Sequence, residues 1–520
     1  MRSSPMSSDK IIVSHADALK RKYGAPGLAR IREALDRLVE SDARHHLRTK
    51  VVFMDRVNDM RLRGKPLGPT PTPRQAKMAI DAIYEAEHPD YLMILGAQDV
   101  VPFQLLDNPL WEEGGDDDDV RIESDLPYAC EAQYDTDPNS FVGPTRVVGR
   151  LPDIVNGTDP AYIIKLLRIA SQAKTRAAND YRHGFALSAQ KWQASSDMSV
   201  KAIFGAVKIL RTVPEDSPAW AAKRLAPRIH FINCHGNRNG TVFNGQPRGR
   251  REVYPIAHQA PWLTGKITNG AVMAAECCYG AQLYDPELTE GQPGIAYMYL
   301  SGGAYGVFGS STIAYGPFSS NDSADLICQS FLTSVLHGAS LGRATLEAWQ
   351  QFASRWAHLN PEHLKTIAQF YLLGDPSIHA VSMASRTLNK TDVFKRAFAH
   401  THDAGPRALR RDKLLRVGRS LDREMPRTRP LKVRGPAPIS DEVRKVLTGA
   451  ARVSGVKRFK ERHFAVVPRR GAPGMTKSKR TVHVLVSGAK ARHEHTHQVT
   501  LISATAEDGR LIHIRRLHSR

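Results

Sequence analysis

The sequence has few cysteines and no long apolar run. Its 520 residues include five cysteines, Cys130, Cys234, Cys277, Cys278 and Cys328. An odd number at irregular spacing is not the framework of a disulfide-stapled module. No segment reaches the roughly 20 uninterrupted apolar residues of a membrane-spanning helix. The first residues, MRSSPMSSDKIIVSHADALKRKYG, lack the apolar stretch of a secretory signal. These absences lead to the expectation of a soluble, cytoplasmic chain without a transmembrane segment. Its length exceeds that of most single domains, so at least two folding units are expected.

What the sequence has in excess is positive charge, and that charge is localised. The net charge is +21, yet residues 381–520 hold 33 Lys and Arg against 11 Asp and Glu. The preceding residues are close to neutral, with 40 basic and 41 acidic side chains. A neutral body followed by a basic tail is therefore expected, and the two carry separate meanings.

The body reads as α/β. Residues 12–40 read as helix, KVVFMD (50–55) as a strand, RQAKMAIDAIYEAEH as a helix and YLMILGA (91–97) as a strand. TRVVGRLPD and the helix AYIIKLLRIASQAK complete a first unit. The pattern then restarts: the helix SVKAIFGAVKILRTV precedes three strands, RIHFINCHG, GAVMAAECC (270–278) and AYGVFGSS (304–311). The helices SADLICQSFLTSVLHG, SLGRATLEAWQQF and HLKTIAQFYLL follow. Short apolar runs alternating with segments of 3.6 periodicity predict a mainly parallel sheet covered by helices. The expected division is 1–180 for a smaller α/β subdomain, 181–380 for the main domain, 381–445 for a basic linker and 446–520 for a small basic β-rich module. In that module HFAVVP, TVHVLVSG, HQVTLISAT and RLIHIRRL alternate as strands do.

His235 and Cys278 stand 43 residues apart, each just after a strand, where open parallel sheets carry their functional loops. An imidazole beside a thiol can take its proton and later protonate a leaving group. Gly236 lets the backbone approach closely and aim an N–H at an oxyanion, and the N–H of Cys278 is a second donor. Taken singly, a His-Gly pair or a Cys-Cys pair is also ordinary strand-end packing. Cys234, His235, Cys277 and Cys278 contain the donor types of a zinc site. Adjacent strand residues point to opposite faces, which disfavours their convergence on one ion.

FINCHG, AAECCYGAQ, GGAYGVFGSS and YLLGDPS resemble, in order, the landmarks of the gingipain-like cysteine peptidases, relatives of caspases and legumains. YLMILGAQDVVPF, SDLPYAC and VVGRLPD resemble the preceding subdomain of that family, so the resemblance spans residues 50–378. It implies a caspase-like sheet and endopeptidase activity through a thioester, with His235 and Cys278 as the catalytic pair and no metal or organic cofactor. In some members an acid before the strand matching VVGR orients the histidine; here Thr145 and Arg146 stand there. A dyad, or Asp135 or Asp137 in the orienting role, is the expectation. Family members with basic specificity use a pocket aspartate, and Asp153, Asp159, Asp322 and Asp325 are candidates for Arg or Lys selection. SNDS before ADLICQSF is equally a helix N-terminal signal, and Asp375 suits a turn.

GGDDDD (114–119) gathers hard oxygen ligands suited to calcium but lacks EF-hand spacing. Like-charge repulsion predicts a hydrated loop, and the basic tail is a candidate docking partner for it. The expected partners are a peptide or protein substrate and the chain's own C-terminal tail, as inhibitor or as internal substrate. A nucleic acid is less favoured, because neither zinc-finger spacing nor an RNP-like aromatic pair accompanies the basic residues. The competing reading is a catalytically silent caspase-like scaffold whose basic tail binds protein or nucleic acid.

Overall fold

The short apolar runs assemble into one continuous ten-stranded sheet that crosses the expected boundary at residue 180. The computed structural model describes residues 8–213, 219–249, 253–382, 407–431, 439–456, 458–469, 479–490 and 497–520. The first five strands across the sheet are Thr49–Phe53, Lys10–Ser14, Tyr91–Leu95, Val148–Leu151 and Phe370–Gly374. Gly306–Ser310, Val272–Ala275, Ile229–Asn233, Gly184–Ser188 and Leu210–Thr212 follow. Neighbours are parallel everywhere except between Phe370–Gly374 and Gly306–Ser310. Two parallel halves therefore meet at one antiparallel seam. Strands buried on both faces explain the unbroken apolar runs.

Three local readings change. Residues 10–14, KIIVS, form a strand although the helix was expected from residue 12. Lys10 is fully buried there because its ammonium pairs with Asp42 and Asp375. The helix expected through residue 213 stops at Phe204, where Gly205 adopts φ 75° and closes it. The run FYLLG leaves its helix at Gln369 and becomes a central strand, since a five-residue apolar run has no period that separates buried helix from buried strand.

The basic C-terminal segment forms its own antiparallel sheet from Arg427–Pro430, Lys460–Val467, Arg480–Lys490, His497–Glu507 and Arg510–Ser519. Alternation gives this sheet two apolar faces. Leu485, Ile502, Ala504 and Ala506 pack under the helix Asp441–Val453 through Val443, Leu447 and Ala451. Val482, Val484, Val486, Val499, Leu501 and Leu517 instead pack on Leu110, Ile313, Tyr315 and Cys278 of the body. The last strand adds a short body strand, Tyr315–Gly316, to its own sheet.

The acidic run alternates: Asp116 and Asp118 are exposed, while Asp117 and Asp119 turn inward. Asp117 and Asp119 are buried around the ammonium of Lys365, which lies 2.7 and 2.8 Å from Asp117 and 3.2 Å from Asp119. Burial pulls the lysine pKa down and the two carboxylates more than offset it, so the charge is kept. A side-chain cation already holds the oxygens that calcium would need, which corrects the calcium expectation at this run. Asp117 also accepts from the Tyr315 hydroxyl at 2.7 Å. Asp119 accepts from the Ile313 N–H, the Tyr279 hydroxyl and Arg238, each at 2.8 Å. Replacing Lys365 with Met leaves two buried carboxylates without their cation, at a cost of about 3–5 kcal/mol. The urea midpoint of Lys365→Met against the parent chain measures it, and an unchanged midpoint contradicts this role.

Candidate active site

Three segments at the carboxyl ends of neighbouring strands build the site. Residues 234–236 follow Ile229–Asn233, residues 276–279 follow Val272–Ala275, and residues 311–316 follow Gly306–Ser310. Close approach between the first two requires glycine at 236, since a Cβ there would sit 1.8 Å from the Cys278 carbonyl oxygen. After Cys278 the chain turns sharply: Tyr279 has φ 55°, a strained left-handed conformation for an aromatic residue. Its backbone N–H donates to Thr312 O at 3.0 Å and its hydroxyl is held by Asp119. The acidic node thus secures the turn behind Cys278, the substrate-side strand through Ile313 and Tyr315, and the loop after Gly236 through Arg238.

The centre of this arrangement holds Arg520. Its carbonyl oxygen accepts from the Gly236 N–H at 3.3 Å and the Cys278 N–H at 3.1 Å, the two donors expected of an oxyanion site. Its own N–H donates to Ala314 O at 2.9 Å, and the preceding residues pair antiparallel with the body, Ser519 opposite Tyr315 and His518 opposite Gly316. The His518 ring stacks on Phe318 with centroids 3.7 Å apart. The Arg520 guanidinium enters a buried pocket, where Nη2 lies 2.9 and 3.0 Å from the two Asp325 oxygens and 2.9 Å from Pro317 O. It lies over the Trp192 ring, 4.6 Å from the centroid, with Ser195 Oγ at 3.4 Å. Gly316 leaves the entrance open, because a Cβ there would lie 2.2 Å from the guanidinium.

Asp325 has two structural duties. With Asp322 it forms the capping box of the helix Ser323–Leu336, the helix signal read in SNDS, and it also faces Arg520. Glu276, fully buried beside it, has its pKa raised well above the usual carboxylate range, first by burial and then by the Asp325 charge. Burial raises the pKa of Asp325 as well, and the Arg520 guanidinium opposes that rise. The other candidate aspartates serve elsewhere. Asp153 pairs with Lys22 and Tyr23, Asp159 caps the helix Ala161–Ser171, and Asp322 meets His363 and Arg515.

His235 Nε2 bonds Gln246 Oε1 at 3.1 Å, and its ring lies against Trp192 and Tyr254. Asp135 and Asp137 do not orient it. Asp135 accepts from Thr136, Asp137 and Ser140, and Asp137 caps its own turn through Asn139. Arg146 turns to Asp81 and Tyr84. Gln246 thus stands where a carboxylate was sought. Cys278 Sγ is engaged by Ala314, accepting from its N–H at 3.3 Å and donating to its carbonyl at 3.5 Å. Cys277 Sγ turns instead to Ile232 O, and among the described residues no cluster of three or more His, Cys, Asp or Glu is arranged to hold a metal.

Trp192, Ser195, Gly316 and Gln246 were not singled out from the sequence, whose motifs give no sign of them. Glu276 had a visible signal, a carboxylate inside an otherwise apolar strand end. Burial pushes the Cys278 thiol up to about 12, and burial pulls the His235 imidazole down to about 3. Both groups are neutral in this state at pH 7. Iodoacetamide labelling of Cys278 is therefore expected to be about a thousandfold slower at pH 7 than that of a free cysteine. It should also rise about tenfold per pH unit up to pH 9. Peptide-resolved mass spectrometry reads the rate, and labelling as fast as a free thiol contradicts the closed site.

A family model described as Peptidase family C25 matches residues 4–381. No curated protein matches the sequence. A solved structure titled "Structure of Protease" is similar at 12% identity and TM-score 0.48, covering 99% of this chain and 98% of that one. A Saccharomyces cerevisiae separase–securin complex is similar at 16% identity and TM-score 0.30, over 45% of this chain and 14% of that chain. Among the described residues, no helix is long and apolar enough to cross a membrane. The matched residues contain the whole strand-end constellation around His235 and Cys278, and the chain belongs to peptidase family C25, a family of cysteine-type endopeptidases.

Proposed function

We propose that the chain is an arginine-directed cysteine endopeptidase working through a His235–Cys278 dyad. One observation carries the reading: a single residue, Arg520, has its guanidinium on Asp325 while its carbonyl oxygen receives the Gly236 and Cys278 N–H groups. A scissile arginine needs both contacts at once, charge recognition at the side chain and polarisation at the carbonyl.

In the proposed cycle His235 accepts the Cys278 proton and the thiolate attacks the arginine carbonyl carbon. The oxygen gains charge and is held by the two N–H donors. Protonated His235 then gives its proton to the leaving amine, and water hydrolyses the thioester. Gln246 acts as a positioning residue through Nε2 of His235, and the thiol leaves Ala314 when substrate enters. The guanidinium meets both Asp325 oxygens through one nitrogen, Nη2, and lies 4.6 Å from the Trp192 ring centroid. The carboxylate supports a basic scissile residue, and the ring contact supports Arg over Lys. The same preference makes the Arg-rich linker 381–445 a self-processing substrate, although 383–406 and 432–438 lie outside the described residues.

Two expected outcomes test the reading on the full-length chain with peptides varied at the scissile residue. Cys278→Ala abolishes cleavage. Asp325→Asn lowers kcat/KM for arginine peptides by about a hundredfold, the equivalent of about 3 kcal/mol. Cleavage that persists in Cys278→Ala, or an Asp325→Asn chain with unchanged arginine preference, overturns it.

A further inference from the structure

Cys278 and His235 are 4% and 1% exposed, so a peptide substrate cannot reach them while the described arrangement holds. What covers them is the last strand of the C-terminal module. Its residues occupy the groove as an ordered ligand, with contacts at every level. The backbone of 518–520 is paired with 314–316, the His518 ring is stacked on Phe318, the Arg520 side chain fills the Asp325 pocket, and its carbonyl sits on the oxyanion donors. Strand addition of this kind is how extended peptides are recognised, main chain for affinity and pockets for specificity.

The module is also fastened beside the groove. Its apolar face packs on Ile313, Tyr315 and Cys278. Arg515 lies 3.2 Å from Asp322 and 3.7 Å from Glu362, and over the Trp356 ring at 4.4 Å. A ligand tethered to its own site acts at an effective concentration on the order of millimolar. External peptides must compete with it.

We propose that residues 517–520 are a resident ligand of the substrate groove, holding this peptidase in an inhibited state in cis until the C-terminal module withdraws. The proposal rests on the arginine-directed reading above and assigns the groove its non-prime subsites. His518 marks a position that favours a flat ring, against Phe318. Ser519 turns its hydroxyl to the Val499 N–H of the module's own sheet and marks no side-chain preference of the groove. Arg520 marks the scissile position.

The test compares the full-length parent chain with Arg520→Ala, Arg520→Lys and His518→Ala. Each is given a fluorogenic amide of Leu-His-Ser-Arg, and Cys278 labelling by iodoacetamide is followed in parallel. Arg520→Ala is expected to label Cys278 at least tenfold faster than the parent and to cleave the amide at least tenfold faster, with Arg520→Lys between the two. Thermal unfolding of each chain is recorded. If Arg520→Ala fails to fold, His518→Ala, which keeps the Asp325 pair and loses the stack on Phe318 and the bond to the Thr500 hydroxyl, is expected to raise both rates severalfold. Equal labelling and equal cleavage in the parent and every folded variant overturn the proposal. Faster labelling without amide cleavage supports the resident ligand and counts against the arginine-directed reading. Cleavage by the parent at the rate of the variants supports that reading and overturns the resident ligand.

Discussion

The active-site loops hang from one buried cation. Lys365 holds Asp117 and Asp119 together in the protein interior, and those two carboxylates reach Tyr279 behind the Cys278 thiol, Ile313 and Tyr315 on the segment that pairs with residues 518–520, and Arg238 two residues after Gly236. A buried charge without a partner is expensive, so the node forms as a unit or not at all. This rigidity lets Tyr279 stay at φ 55° and keeps the Cys278 N–H aimed at one point. Preorganised donors of that kind contribute most when water is excluded; Cys278 is buried and Gly236 half-buried.

The pocket uses a second economy of charge. Two carboxyls, Glu276 and Asp325, lie side by side out of water, and burial together with the Asp325 charge raises the pKa of Glu276 well above the usual carboxylate range. The guanidinium meets Asp325 in a pocket shaped by Trp192, Ser195 and Pro317. Family C25 membership is consistent with peptide-bond hydrolysis, and the pocket around Arg520 draws on three separate stretches of sequence.

Most strands, the layered α/β arrangement and the β-rich module were legible, because apolar periodicity and strand-end glycines are local signals. The placement of His235, Gly236 and Cys278 at strand ends was legible for the same reason, since each stands just past an apolar run. What escaped is non-local. GGDDDD reads as wholly repulsive only while Lys365, some 250 residues away, is left out; with it Asp117 and Asp119 find a buried cation while Asp116 and Asp118 stay exposed. Asp325 is visible in sequence as a helix cap, and its second role appears only when Arg520 arrives, 195 residues later. Gln246 carries no motif. Phe370–Gly374 belongs to a run too short for its period to show.

That last strand has a consequence for how the body is made. Phe370–Gly374 is the final body strand to be synthesised within the ten-stranded sheet, yet it lies in the middle, bonded on one side to Val148–Leu151 and on the other to Gly306–Ser310. Neither parallel half has its inner edge covered before residue 374 emerges. Assembly must therefore wait for contacts separated by more than 200 residues, a topology of high contact order in which both halves close together. A chain cut near residue 180 parts Val148–Leu151 from Phe370–Gly374 and leaves each half of the sheet with an unpaired edge where the other stood.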